Sequence, residues 1–198
     1  NVGSNLEANG LSALVFVNTL LASAAATLAW SGAEWIVRGK PSMLGGASGA
    51  IAGLVAITPA CGWAGPMGSI VLGLVAGVAC FIAVTSLKSL MGYDDSLDAF
   101  GVHGIGGIIG ALGTSVVANP ALGGTGVWDY VANGVAEYSF STQFISQLWG
   151  VSICIVWSGI VSFIAFKLID IVIGLRVSEE AEREGLDISE HGETAYHL

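Results

Sequence analysis

Residues Phe100-Gly-Val-His103-Gly-Ile-Gly-Gly-Ile-Ile-Gly110 form a run without charge, rich in glycine, that holds one ionisable side chain. Apolar stretches of about 20 residues read as membrane-crossing helices, and this run is the heart of one spanning residues 97–118. Its glycines let neighbouring helix backbones come close. His103 is the only histidine of the sequence inside an apolar span. An ionisable group at membrane depth is costly and tends to line a cavity or path. Two readings follow. Either His103 stands in a narrow, protein-lined conduit, or it packs between helices and bonds a carbonyl of a neighbour.

Composition points the same way across the whole chain. Apolar residues make up 54% and charged residues 11% of 198, against about 25% charged in soluble domains. Mean hydropathy is +0.76, too high for so short a chain to conceal in one soluble core. The 29 glycines are spread through the apolar runs, as helix packing in lipid requires. The net charge of −9 rests on only six Lys and Arg, so no basic patch exists for nucleic acid. Cys61, Cys80 and Cys154 lie far apart in apolar stretches. They show no metal or disulfide spacing and read as small packing residues. The opening Asn-Val-Gly-Ser-Asn lacks a basic start and a signal-peptide pattern; the expectation is an internal stretch of a longer protein.

Five apolar spans emerge, at residues 11–36, 43–61, 66–87, 97–118 and 144–175. Arg38 and Lys40 fall between the first and second, and Lys88 between the third and fourth. Lys167, Arg176 and Arg183 lie at or after the end of the fifth. The connections 62–65 and 119–142 carry no Lys or Arg. All basic residues thus share one side, which the positive-inside rule makes cytoplasmic. The start is then external and the tail internal, which agrees with an odd number of spans.

Charges and aromatic residues near the spans have local explanations. Glu34 and Arg38 are four apart and suit a helix pair. Lys167 and Asp170 are three apart where Lys can snorkel. Asp94, Asp95 and Asp98 precede the fourth span, where acidic groups complement a helix dipole; the alternative is that they hold the start of this span against a basic tail. Trp35 and Trp63 sit near span ends, where indoles favour the interface. Trp30 and Trp157 lie deeper and read as packing residues.

The character changes after Leu175. Ser178 is placed to cap a short acidic helix with Glu179 and Glu180 in its first turn, and Gly185 is placed to stop it. Such a segment suits either a solvated tail or a docked cytoplasmic one. His191 and His197 lack metal-ligand spacing, so no metal and no cofactor is assigned. The organisation expected is a transmembrane domain over 1–176 and a cytoplasmic tail over 177–198.

These residues resemble the ammonium transporter (Amt/Mep/Rh) family. The matching stretches are Asn1-Val-Gly-Ser4, Arg38-Gly-Lys-Pro41, Gly49-Ala-Ile-Ala-Gly-Leu-Val55, Thr58-Pro-Ala-Cys-Gly62, the Asp94, Asp95 and Asp98 set, and the run from Phe100 to Gly110. Trp157-Ser-Gly159, Gly174-Leu-Arg-Val177, Glu182-Arg-Glu-Gly-Leu-Asp187 and His191-Gly-Glu-Thr-Ala-Tyr196 complete the match. The resemblance implies an all-α, polytopic transmembrane bundle, the second inverted five-helix repeat with the final long helix of a trimeric, eleven-helix fold. It implies that His103 is one of two pore histidines and that Ser4 is the hydroxyl of an external recruitment site. It places Ile51 and Ala99 at pore-facing positions; relatives often carry a larger residue at the latter, which implies a wider bore here. The tail, with Arg176, Gly185, Asp187 and Tyr196, is the segment through which relatives are regulated, including by PII signal proteins.

The chemistry implied is physically coherent. A bare ammonium ion is costly to move through hydrocarbon. A hydroxyl acceptor beside aromatic faces binds it by hydrogen bonds and cation–π attraction, and Ser4 supplies the acceptor. A constricted apolar pore then favours deprotonation to ammonia, and an imidazole can accept, donate or relay the proton. The expected function is ammonium or methylammonium transport across the cell membrane. An ammonium sensor signalling through the tail is the alternative, and a half-protein that only assembles with others is a third. No nucleophile–base pair, metal cluster or phosphate loop points to an enzyme.

Overall fold

The computed structural model describes residues 1–194. Two compact units divide the chain, one ending at Val151 and the other beginning at Ser152. In the first, α1 (Gly10–Arg38) opens on Asn9, whose side chain accepts the Ser12 N–H at 3.1 Å. It closes at Gly39, which takes φ +79° and sends its N–H to the Trp35 carbonyl. α2 (Met43–Ile57) is capped by Ser42, whose hydroxyl accepts the Gly45 N–H at 2.9 Å. α3 (Pro66–Met91) has proline in its first turn, where no N–H partner is lost. α4 (Phe100–Val117) and α5 (Phe140–Val172) follow. The five apolar stretches of the sequence are therefore five helices of a membrane bundle.

Boundaries differ from the sequence reading by up to four residues, the third helix for one running on to Met91. The second helix ends at Ile57, not 61, because Pro59 has no N–H to continue the ladder; tight turns carry the chain on, with Ala60 N–H to Ile57 O at 2.8 Å and Trp63 N–H to Ala60 O at 2.9 Å. Its 15 residues rise only about 22 Å, whereas the other four helices are each long and apolar enough to cross a membrane. The fourth starts at Phe100, after a turn in which Asp98 adopts φ +56°. The fifth starts at Phe140, and none of its residues is buried. Cys154 and Trp157 are consequently exposed. The sequence reading made them packing residues; the correction is that neither is buried, on a helix that is apolar all round.

The core of the first unit is a close approach of α1, α2 and α3 around Ala22, which is wholly buried. A Cβ at Gly53 of α2 or at Gly73 of α3 would overlap the Ala22 carbonyl oxygen. Small residues here let three backbones touch, so van der Waals contact holds helices that lipid would otherwise solvate. α4 joins through Gly110, where a Cβ would overlap the Ala56 carbonyl. Trp30 meets Phe81 edge-on at 5.8 Å beneath this layer.

One buried amide ties the bundle to its connecting turn. Asn18 is fully buried and donates from Nδ2 to the carbonyls of Cys61 at 2.8 Å and Ala64 at 2.7 Å. The bond to Ala64 is buried and that to Cys61 partly so. Substituting Asn18→Leu strips both partners at once, and the expected loss is about 2 kcal/mol or more. Thermal unfolding in detergent, followed by size-exclusion chromatography, checks it. An unchanged melting profile would show the turn to be held by other contacts.

Between α4 and α5 a two-stranded hairpin pairs β1 (Trp128–Asp129) antiparallel to β2 (Gly134–Val135). Its turn is closed by Asp129, which accepts the N–H groups of Val131 at 2.8 Å and Ala132 at 3.1 Å; those two bonds hold the carboxyl below its ordinary pKa. Tyr138 donates its hydroxyl to the Ser115 carbonyl at 2.5 Å.

In the second unit, α6 (Glu179–Glu184) is capped as expected, with the Ser178 hydroxyl accepting the Ala181 N–H at 3.2 Å. Gly185 ends it at φ +105°, and α7 (Leu186–Ser189) follows. Arg176 grips Glu182 with two bonds of 2.5 and 2.9 Å, which lowers the Glu182 pKa.

Candidate functional site

Three of the residues singled out in the sequence, Ile51, Ala99 and His103, are exposed in the first unit. Beyond its exposed first turn at Met43 and Leu44, α2 exposes Ala47, Ile51 and Leu54, and Thr58 just past its end is exposed too, at spacings of four, three and four. That spacing draws a stripe along one side of a helix. α4 packs beside α2, and its first turns expose Ala99, Phe100 and His103. Val102 and Ala52 share one buried cluster with Trp30, Cys80 and Phe81. Their sequence neighbours, His103 and Ile51, therefore stand at the same level of two adjoining helices. Ala99 lies one turn from His103 on the same face.

Among the described residues the His103 imidazole has no hydrogen-bond partner. The packing reading, in which it bonds a neighbouring carbonyl, is thus not met within this chain. Neither is it enclosed: His103 is exposed. A cavity of about 240 Å³ does open at the end carrying Arg38 and Lys88, but Glu34, Arg38, Lys88 and Asp98 line it rather than His103.

Ser4 sits at the other end of the α2 stripe. It lies exposed in a 3₁₀ turn, Gly3–Asn5. The segment is pinned by Asn1, whose Nδ2 donates to Thr19 Oγ1 at 3.1 Å and whose Oδ1 accepts from Thr58 Oγ1 at 3.3 Å. The stripe thus runs from the Asn1–Thr58 contact down past Leu54 to Ile51, beside His103. Arg176, Gly185 and Asp187 belong to the second unit, and Tyr196 lies outside the described residues.

His103 also has unusual backbone surroundings. Phe100–Gly104 is a π-helical turn, so Ile105 N–H reaches back to the Phe100 carbonyl. Asp95 accepts the Phe100 and Gly101 N–H groups, each at 3.1 Å. No acidic residue lies in the first turn itself; Asp95 alone caps this helix start with its side chain, from the turn before it. Asp98 instead takes Lys88 Nζ at 2.8 Å. Glu34 and Arg38 pair at 3.1 Å, but Glu34 is buried and also accepts the Ser42 N–H at 3.0 Å. Neither the Ser42 bond nor the buried Asn18 is legible from hydropathy; the one signal for Asn18 is a lone amide in an apolar span.

A bundle of apolar helices, four of them long enough to cross a membrane, is the mark of a polytopic membrane protein. The sequence model of the Ammonium Transporter Family matches residues 1–196. The ammonium transporter of Bacillus subtilis is 44% identical over 196 residues, 99% of this chain and 47% of its own length. That of Aquifex aeolicus is 45% identical over 198 residues, 100% of this chain and 45% of its own. Among solved structures, one described as a sensor Amt protein matches with TM-score 0.82 at 29% identity, covering 96% of this chain and 44% of the other. Mep2 of Candida albicans matches with TM-score 0.79 at 30% identity, covering 97% and 43% respectively. This chain belongs to the Ammonium Transporter Family, and it spans about half the length of the curated relatives it matches.

Proposed function

We propose that this chain supplies one half of an ammonium-conducting pore, with the α2–α4 face as its wall. The observation carrying this reading is the stripe itself. It places a lone imidazole, His103, near Ile51 and Ala99 on an exposed face of the first unit, in a chain that spans about half the length of the curated relatives it matches. His103 accepts and passes on the proton that ammonium loses in the apolar bore, and Ser4 accepts a hydrogen bond from ammonium at the mouth. The Ser4 end faces outside and the tail the cytoplasm of a cell-membrane homotrimer, by the distribution of basic residues and by family resemblance. Residues 177–198 form the regulatory tail, through which a PII signal protein acts.

A sensor reading is favoured by the likeness to the sensor Amt protein. Flux separates the two. The complete natural protein carrying this chain, reconstituted in liposomes, is given an ammonium gradient while internal pH is followed. A transporter gives a saturable signal well above empty liposomes. Ammonium binding without such a signal would overturn the transport reading in favour of the sensor.

A further inference from the structure

The imidazole of His103 is held by a backbone turn that does not maintain itself. A π turn has one residue more than the α-helical pattern allows, is rare, and occurs mostly as a single turn at functional sites. Two of them face each other here, Ala83–Leu87 in α3 and Phe100–Gly104 in α4. Gly101 packs directly on Val84, where a Cβ would come within 2.5 Å of Val84 Cγ1. Lys88 follows the first π turn immediately. Its ammonium donates to the Asp95 carbonyl at 2.5 Å and to Asp98 Oδ1 at 2.8 Å. These two residues bound the tight turn before α4, closed by Asp98 N–H to Asp95 O at 3.1 Å. Asp98 is held there in a left-handed conformation, φ +56°, which aspartate tolerates better than most residues.

The same turn feeds the second π turn from both ends. The Asp95 carboxylate accepts the Phe100 and Gly101 N–H groups. The Asp98 carbonyl accepts the Val102 N–H at 3.0 Å. Loss of the extra residue from the turn would rotate the side chains beyond it by roughly 100° and shift them by about 1.5 Å. His103 lies inside the turn, so its direction depends on that register.

Resting on the proposed transport function, we infer that Lys88, through Asp98 and the Asp95 carbonyl, is a positioning residue for His103. It clasps the end of α3 to the start of α4 and so fixes the register of the π turn that aims the imidazole. It touches neither the uncovered stripe nor the permeant.

The test uses the complete natural protein in liposomes and compares methylammonium with ammonium rates. Their ratio is independent of how much protein folds, so a merely structural defect does not move it. Lys88→Met keeps the stem and removes the donors; the ratio should shift at least threefold. Lys88→Arg, which keeps the charge, should return it to within twofold of wild type. The structure of Lys88→Met by electron cryomicroscopy supplies a second readout, in which the Ile105 N–H should move from the Phe100 carbonyl to that of Gly101. If Lys88→Met is not recovered folded, Gly101→Ala, which pushes the π turns apart at Val84, is read in the same two ways. An unchanged ratio, or a retained π turn, overturns the positioning role. Wild-type protein that moves no ammonium while Lys88→Met still loses the π turn would sink the transport function and leave the clasp standing.

Discussion

Replacing His103 by alanine is expected to cut ammonium flux through the complete natural protein by at least about tenfold while leaving its stability within about 0.5 kcal/mol of wild type. The two halves of this result come from separate observations. The imidazole has no hydrogen-bond partner among the described residues and is exposed on the α2–α4 face, so its removal breaks no hydrogen bond there and costs little, as for surface substitutions generally. The flux, by contrast, loses the proton acceptor that the proposed function assigns to His103. Ile51 and Ala99, its neighbours along the stripe, cannot accept a proton, and a positioned general base commonly contributes 10²- to 10⁴-fold. Initial rates in liposomes and melting in detergent measure the two quantities on one preparation. Undiminished flux for both ammonium and methylammonium would remove His103 from the mechanism.

Valine at Gly73 should be the most damaging single change to the fold. The three-helix junction at Ala22 leaves no room there, since even a Cβ would overlap a backbone carbonyl oxygen. Backbone cannot swing aside as a flexible side chain can, so α3 must move off α1. The cost lies at the upper end of overpacking, about 3 kcal/mol, and the contacts that Ala22 makes with α2 are disturbed in turn. Gly32 of α1 provides the control. A Cβ there meets nothing within 4 Å, and Gly32→Ala should be neutral or slightly stabilising, because alanine is the better helix former. The fraction of monodisperse protein surviving heating in detergent reports both. Equal survival of Gly73→Val and Gly32→Ala would mean the junction is looser than its geometry.

How much of this was legible beforehand depends on whether the signal is local. Helix starts and stops were, because caps act within one turn: Ser178 and Gly185 bound α6 as their chemistry dictates, and Pro66 opens α3. The apolar span of α2 runs on to Cys61 although Thr58-Pro59 marks its end, and the hydrogen-bond ladder stops at Ile57, just before that pair. Cys154 and Trp157 were misread for a different reason. Apolar character says that a residue avoids water, not whether lipid or protein covers it.

The candidate site divides along the same line. The sequence by itself determined a membrane bundle of apolar helices, the solitary imidazole within a span, and the family, because composition, charge placement and motif are properties of residues in order. Only the tertiary structure decided that Ile51 and His103 stand level on adjoining helices, that Asn1 ties the Ser4 segment to the end of the same stripe, and that Lys88 reaches across ten positions to Asp98 to close the turn before α4. Those relations depend on where glycines let backbones meet and on two π turns that shift the helical phase, and neither is set by residues close together in the chain.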